Sequence, residues 1–321
     1  MEHPKTLQQA IRYYSDEQVC IDAVAALRWP DGKPTCPACG HKEHYYLKTQ
    51  KRWKCKECWK QFTVKLGTIF EDSPLPLDKW MCALWMLVNC KNGVSSYEVA
   101  KALGITQKSA WFMLHRLRFA LQDKETGGKM GGDPHSKVEI DETFIGGKAR
   151  NMHKSRREKM ARMGKYASKT VVMGMLQRGG KVKTHILPRL DGNKMQEIVR
   201  KSVAPGTWLM TDEFMGYKGL STDYTHLVVN HLERYVQGNV HTNGLENFWS
   251  LLKRGLSGTY VAVEPFHLFR YVDEQAFRFN NRGNREHKIT DADRFQLALS
   301  QIAGKRLTFA EVTGKVGETP F

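Results

Sequence analysis

The 321-residue sequence has no uninterrupted apolar run near the ~18 residues that would suggest a membrane-spanning helix. Its first ten residues, MEHPKTLQQA, have no apolar h-region, so no secretory signal is read there. Acidic residues are scarce relative to basic ones, 33 Asp and Glu against 50 Lys and Arg, a formal net charge of +17. That imbalance points to a polyanionic partner, most commonly nucleic acid, rather than to a chain that is merely soluble and charged. An even cysteine complement is also missing. Seven Cys without a secretion signal argue against a disulfide framework, so the thiols are expected to be reduced and the protein cytoplasmic and nucleoid-associated. Apolar residues are not lacking. At 41% hydrophobic and 10% aromatic, the chain can bury a sizeable core, which excludes wholesale disorder, and its length suggests about two domains.

Four cysteines form a pattern: Cys36-Pro-Ala-Cys39, fifteen residues, then Cys55-Lys-Glu-Cys58. Each C-x2-C pair sets two thiolates on a tight turn, and two such turns complete a tetrahedral site for structural Zn2+. Short strands around Tyr45–Leu47, Arg52–Lys54 and Gln61–Val64 make this a zinc ribbon. Lysines crowd it, and Trp53 and Trp59 lie among them, so Arg52, Trp53 and Lys54 are candidate DNA contacts. A protein-contact module with a solvated basic face is the alternative. Cys20, Cys82 and Cys90 fall in apolar helical patterns and read as core.

Residues 78–90 read as a core helix. Two further helices follow, capped by Ser95 and Thr106, with Gly104 between them and Ala100, Leu103 and Ile105 as packing residues. This is a helix-turn-helix pattern, an ordinary helical hairpin being the alternative. Lys108, Arg116 and the neighbouring His115 and Arg118 are expected to be available to a DNA groove. The Gly-rich stretch 124–133 reads as a linker.

Beyond it, residues 137–147 read as a strand carrying acids. Alternation sets Glu139, Asp141 and Thr143 on one face and Val138, Ile140 and Glu142 on the other. Strands at 170–176 and 183–187, a helix at 193–202, a strand at 208–213 ending in Asp212, a short strand at 226–229 and a helix at 243–254 follow. That order is the order of an RNase H-like α/β domain. Asp141 and Asp212 would then sit on adjacent central strands, with Glu246 approaching from the late helix. Three hard oxygen ligands with open positions suit two Mg2+ or Mn2+ ions and an in-line phosphodiester displacement. Lys253, two helical turns after Glu246, faces the same way and with Arg254 is a candidate phosphate contact.

The segments Ile140–Gly147, Thr211-Asp212-Glu213 with Tyr217, Val240–Asn243 and Glu246–Gly255, together with Tyr271–Asn280, resemble those of bacterial insertion-sequence transposases. The branch is the one with an N-terminal zinc ribbon and a DDE-type catalytic domain, and the resemblance runs from the ribbon to about Arg282. It implies Mg2+-dependent cleavage at inverted-repeat ends, strand transfer, and a homodimer or larger synaptic complex on double-stranded DNA. The third acidic position of that branch is Asn or Glu. Here Glu246 is favoured and Asn243 is its competitor. Glu139, Glu142 and Glu213 read as solvated or as neighbours of the ligands. His241 is either a phosphate-positioning residue or a structural residue at the helix start, and Glu274 pairs most simply with Arg278.

Residues 148–169 carry nine Lys or Arg and one acid, Glu158. This is expected to be a mobile loop, or one ordered on DNA, with Lys154, Arg156 and Arg157 as contacts. The expected domains are a helical segment 1–30, ribbon 31–68, helix-turn-helix 75–123, catalytic domain 134–282 and tail 283–321, whose role is unreadable. A non-catalytic DNA-binding regulator and a plain RNase H-like nuclease remain the alternative functions.

Overall fold

The computed structural model describes residues 4–122, 128–133, 135–147, 152–163, 169–212, 215–228, 241–283 and 288–315. They divide into two compact units. One combines the described residues of 4–122 and 281–315, and the other those of 128–280.

The first unit opens with helices α1 (Leu7–Tyr13) and α2 (Glu17–Arg28), capped by Thr6 and Asp16. An antiparallel ribbon follows, in the order β1 (His44–Leu47), β2 (Arg52–Cys55), β3 (Gln61–Phe62). Helix α3 (Leu77–Asn89) buries nine of its thirteen residues, so it is the unit's central element. Helix α4 (Ser96–Leu103) starts in a capping box between Ser95 and Glu98 and stops at Gly104, which takes the left-handed conformation (φ 59°) that terminates a helix at little cost in glycine. Helix α5 (Gln107–Ala120) is capped by Thr106.

The tail folds with this unit. Helix α10 (Asp291–Ser300) sets the fully buried Phe295 against Tyr14 (5.5 Å) and Trp85 (5.2 Å). Backbone bonds join Ile69 to Ile302 and Gly304 to Gly67. Lys305 Nζ donates to the carbonyls of Ala120 and Gln122, satisfying groups that the end of α5 leaves unpaired. A final turn, α11 (Phe309–Val312), lays Phe309 on Trp111 and Phe112.

The second unit is a five-stranded mixed sheet. Its strands are β4 (Lys137–Ile145), β5 (Thr170–Gln177), β6 (Val182–Leu187), β7 (Trp208–Thr211) and β8 (Thr225–Val228), in spatial order β6-β5-β4-β7-β8. The first three pair antiparallel, while β4–β7 and β7–β8 are parallel. β5 reads TVVMGMLQ and is buried along nearly its whole length, because helices cover both faces. On one face Val138, Ile140, Val171, Met173 and Met175 pack with Met195 and Val199 of helix α7 (Gly192–Ser202). On the other, Val172 and Leu176 pack with Leu245, Phe248, Trp249 and Leu252 of helix α8 (Asn243–Gly255) and Val272 of helix α9 (Leu268–Asn280).

The basic segment between β4 and β5 is not the loop expected from its charge. Residues Lys154–Met163 form helix α6, whose apolar content is too low to demand burial, and Lys154, Arg157, Lys159 and Arg162 stand exposed on it. Residues 148–151 and 164–168 and the side chain of Arg156 lie outside the described residues. Among the described residues no helix is long and apolar enough to cross a membrane.

Candidate active site and metal centre

The four ribbon cysteines converge. Their Sγ atoms all lie within 4.8 Å of one another, with Cys36–Cys58 at 3.6 Å and Cys39–Cys55 at 3.5 Å. Tetrahedral Zn–S bonds of about 2.3 Å require S–S separations of roughly 3.8 Å, so the donor set fits a structural Zn2+. Backbone amides hold the Cys55 thiol below its ordinary pKa, while the three neighbouring thiols help push Cys39 up to about 12, a crowding of sulfurs that a cation among them would relieve.

Trp53, expected to contact DNA, is instead the ribbon's own core. It is 6% exposed, stacked on Phe62 (5.9 Å) and edge-on to Trp29 (5.2 Å). A ribbon this small has few other apolar groups to bury. The outward aromatics are Trp59, under Lys54 Nζ at 4.9 Å, and Tyr45, under Lys56 Nζ at 5.3 Å. Arg52 is half-buried and reaches Gln61 Oε1 at 3.4 Å.

The expectation for α5 also needs correction. His115, Arg116 and Arg118 are all buried. The Arg116 guanidinium lies 5.2 Å from the Trp80 ring and 5.4 Å from that of Phe112, and donates to the Glu71 carbonyl at 2.6 Å. Burial pushes its pKa down to about 10. Arg116 points inward because α5 packs on α3 along its side of the helix. Lys108 is exposed, its Nζ 5.1 Å from the Phe309 ring.

In the second unit the parallel ladder between β4 and β7 pairs Glu139 with Met210, an offset of 210 − 139 = 71. Carried two residues further, that offset sets Asp141 alongside Asp212, one residue past the end of β7. Asp141 accepts a hydrogen bond from the Trp249 indole Nε1 at 2.9 Å. Glu246 is three residues before Trp249 on α8, hence on a neighbouring face of the same helix. Burial pushes the Asp141 carboxyl up to about 6. The indole N–H works against that rise, and the charges of Asp212 and Glu246 add to it. Glu142, on the opposite face of β4, is likewise pushed up by burial to about 7, against the Tyr217 hydroxyl that donates to it at 2.7 Å.

The donors here are all hard oxygens, which suit Mg2+ or Mn2+ better than zinc. A divalent cation would also relieve the repulsion among the three carboxylates. Among the described residues only the four cysteines bring three or more candidate ligand atoms within 4.8 Å of one another, so the acids stand further apart than the thiols. Asn243 and Glu246 are exposed on the first turn of α8, and Lys253 and Arg254 are exposed near its end. Glu213 lies outside the described residues.

Three contributors were not read from the sequence. Trp249 falls on the apolar stripe of α8 with Leu245, Phe248 and Leu252, so its spacing does not mark its indole N–H as a partner of Asp141. Gly174 lies opposite Asp141 in the β4–β5 ladder, and a Cβ there would meet the Trp249 ring at 2.7 Å and Leu245 at 2.9 Å. A glycine inside an apolar strand run is the available signal for such a close approach. Glu139, expected to be solvated or beside the ligands, is 1% exposed and bonded to Arg178 Nε at 2.9 Å. His241 is bonded to the same arginine. Glu274 is buried in a pair with Arg278, as its spacing implied, and also accepts from Tyr260 at 2.5 Å.

Residues 131–280 match the ISXO2-like transposase domain, and residues 15–61 match the transposase zinc-ribbon domain. An uncharacterized protein in transposable element ISH50 of Halobacterium salinarum is 25% identical over 261 residues, 77% of this chain and 85% of its own. A transposase-like protein of Haemophilus influenzae is 30% identical over 102 residues, 32% of this chain and 82% of its own. A mixed α/β transposase domain behind a four-cysteine ribbon is thus the class defined here. The chain belongs to the ISXO2-like transposases that carry an N-terminal zinc ribbon.

Proposed function

We propose that the protein binds the inverted-repeat ends of an insertion sequence and catalyses metal-dependent strand cleavage and strand transfer as a DDE-type enzyme. The observation that carries this reading is the β4–β7 register, which sets Asp141 alongside Asp212, together with the Trp249–Asp141 hydrogen bond, which ties the helix carrying Glu246 to the same strand. In this reading the second unit is RNase H-like, which its strand order β6-β5-β4-β7-β8 with a parallel β4–β7 pair supports. Helices α4 and α5 act as a helix-turn-helix.

Asp141, Asp212 and Glu246 would hold Mg2+ or Mn2+, with Asn243 the competitor for the third position. Bound there, such ions would lower the pKa of an attacking water or 3′-hydroxyl and stabilise the leaving oxygen. The protein's own part is to orient these carboxylates. The indole of Trp249 holds Oδ2 of Asp141 and the Glu142 backbone N–H holds Oδ1 at 2.8 Å, so the carboxylate is fixed at both oxygens and each keeps a lone pair for a ligand. Lys253 lies seven residues beyond Glu246, about 10 Å along the helix, where an ammonium can neutralise a flanking phosphate. Lys54 with Trp59, Lys108, and the exposed bases of α6 supply further phosphate contacts. Two ends cut in concert call for a homodimer or larger synaptic complex, acting in the cytoplasm on the nucleoid.

The test is divalent-metal-dependent cleavage and joining of labelled element-end DNA by the parent and by Asp141→Ala, Asp212→Ala, Glu246→Ala and Asn243→Ala. Both Asp variants should bind the ends and fail to cut, and the remaining two identify the third ligand. A parent that binds ends yet neither cuts nor joins them in Mg2+ or Mn2+ would favour a regulator.

A further inference from the structure

Helix α8 carries the third acid but lacks a cap of its own: the Thr242 side chain makes no capping bond. The first amides of a helix need acceptors, and the positive end of its dipole favours an anion. A residue from another element meets that need. Glu139, on β4 and two residues before Asp141, accepts from the Leu245 backbone N–H at 3.1 Å with Oε2. Its other oxygen, Oε1, accepts from Arg178 Nε at 2.9 Å and lies 3.5 Å from His241 Nδ1. Arg178 Nη2 donates to the His241 carbonyl at 2.8 Å and to Nδ1 of the same residue at 2.9 Å, gripping the chain just ahead of the helix. Gly244 lets this happen, since a Cβ there would meet Glu139 Oε2 at 2.8 Å and Leu176 at 2.5 Å.

The spacing makes this a ruler. Glu139 and Asp141 project from the same face of β4, about 6.6 Å apart along the strand. Their partners on α8, the Leu245 amide and Trp249, are four residues apart, about 6 Å along a helix. The two contacts match only when α8 runs in the direction of β4 and at one axial position. A slip of one residue along the helix also turns it by about 100° and would carry Trp249 away from Asp141.

We infer that Glu139, with Arg178, is a positioning pair that sets the axial position of α8 on β4 and so brings Glu246 to Asp141 and Asp212. This rests on the reading of those three acids as the metal-holding set. Glu139 itself touches neither substrate nor metal.

The test uses the full chain. Mn2+ binding is measured by electron paramagnetic resonance, alongside unfolding midpoint, DNA-end binding and cleavage. Glu139→Ala should weaken Mn2+ binding roughly 10- to 100-fold, the range typical of losing a group that orients ligands. Glu139→Gln keeps an oxygen acceptor for the Leu245 amide and should be affected less. In a Glu246→Ala background, Glu139→Ala should add nothing further, because the position it guards has lost its ligand. Should Glu139→Ala fail to fold, Glu139→Gln and Arg178→Lys carry the test. Weaker Mn2+ binding at an unchanged unfolding midpoint supports the inference, and parental Mn2+ binding overturns it. Independent, multiplying effects of the Glu139 and Glu246 changes would also overturn it. A parent that binds Mn2+ but leaves element ends uncut counts against transposition, while the Mn2+ comparison still decides the role of Glu139. A parent that binds no Mn2+ removes both readings.

Discussion

Trp249 donates its indole N–H to Asp141 across 2.9 Å, and Gly174, on the strand beside Asp141, is what lets the ring come so close. The carboxylate is thereby tied to the helix that also carries Glu246. Gly174→Ala should push Trp249 and Leu245 away from the sheet. Overpacking of this kind costs about 1–3 kcal/mol, read by chemical denaturation, and metal-dependent cleavage should fall with it. A variant with parental stability and activity would show that the close approach is dispensable.

The zinc prediction concerns the ribbon alone. Purified protein should contain about one zinc per chain. Chelation should release it and expose Trp53 and Trp29, whose packing depends on the two cysteine turns staying together. Metal analysis and the red shift of tryptophan emission report the two effects. Metal-free protein with unshifted emission would argue that the thiols hold nothing.

Arg116 and Lys108 lie on the same helix and should behave oppositely. Arg116→Ala removes a buried guanidinium stacked on Trp80 and bonded to Glu71. It should cost about 2 kcal/mol or more of stability. Lys108→Ala should leave the unfolding midpoint in place and lower the slope of log binding constant against log salt by about one. Reversed results would mean that α5 meets DNA by its other side.

Helix α6 offers Lys154, Arg157, Lys159 and Arg162 to solvent. Changing all four to Gln should weaken DNA binding and reduce the salt slope by about 3 to 4, with little change in unfolding. An unaltered slope would remove this helix from the DNA-binding surface.

Much of the architecture was legible because it depends on neighbours in sequence. The C-x2-C spacing announced a four-sulfur cluster, since each pair needs only one turn. Ser95, Gly104 and Thr106 marked helix ends, because capping is a contact over three or four residues. Alternation along 138–143 correctly assigned Glu139 and Asp141 to one face of β4 and Glu142 to the other. The strands leading to Asp141 and Asp212 were found for the same reason.

What the sequence could not determine is which polar groups the packing would enclose. Arg116 reads as a DNA contact until α3 lies against it. Trp53 reads as a surface aromatic until the ribbon closes on it, and Glu139 reads equally as solvated or as a neighbour of the ligands until α8 brings its bare N-terminus down. The tail has no readable role alone, since Phe295 and Lys305 find their partners about 200 residues earlier, at Trp85 and Ala120. Sequence alone determined the ribbon's four-cysteine set, the strands and the helix around the acids, and the faces that carry them. Tertiary structure decided the burial of Arg116, Trp53 and Glu139 and the approach of Trp249 to Asp141, because burial and long-range pairing belong to whole surfaces meeting and leave no period in the chain.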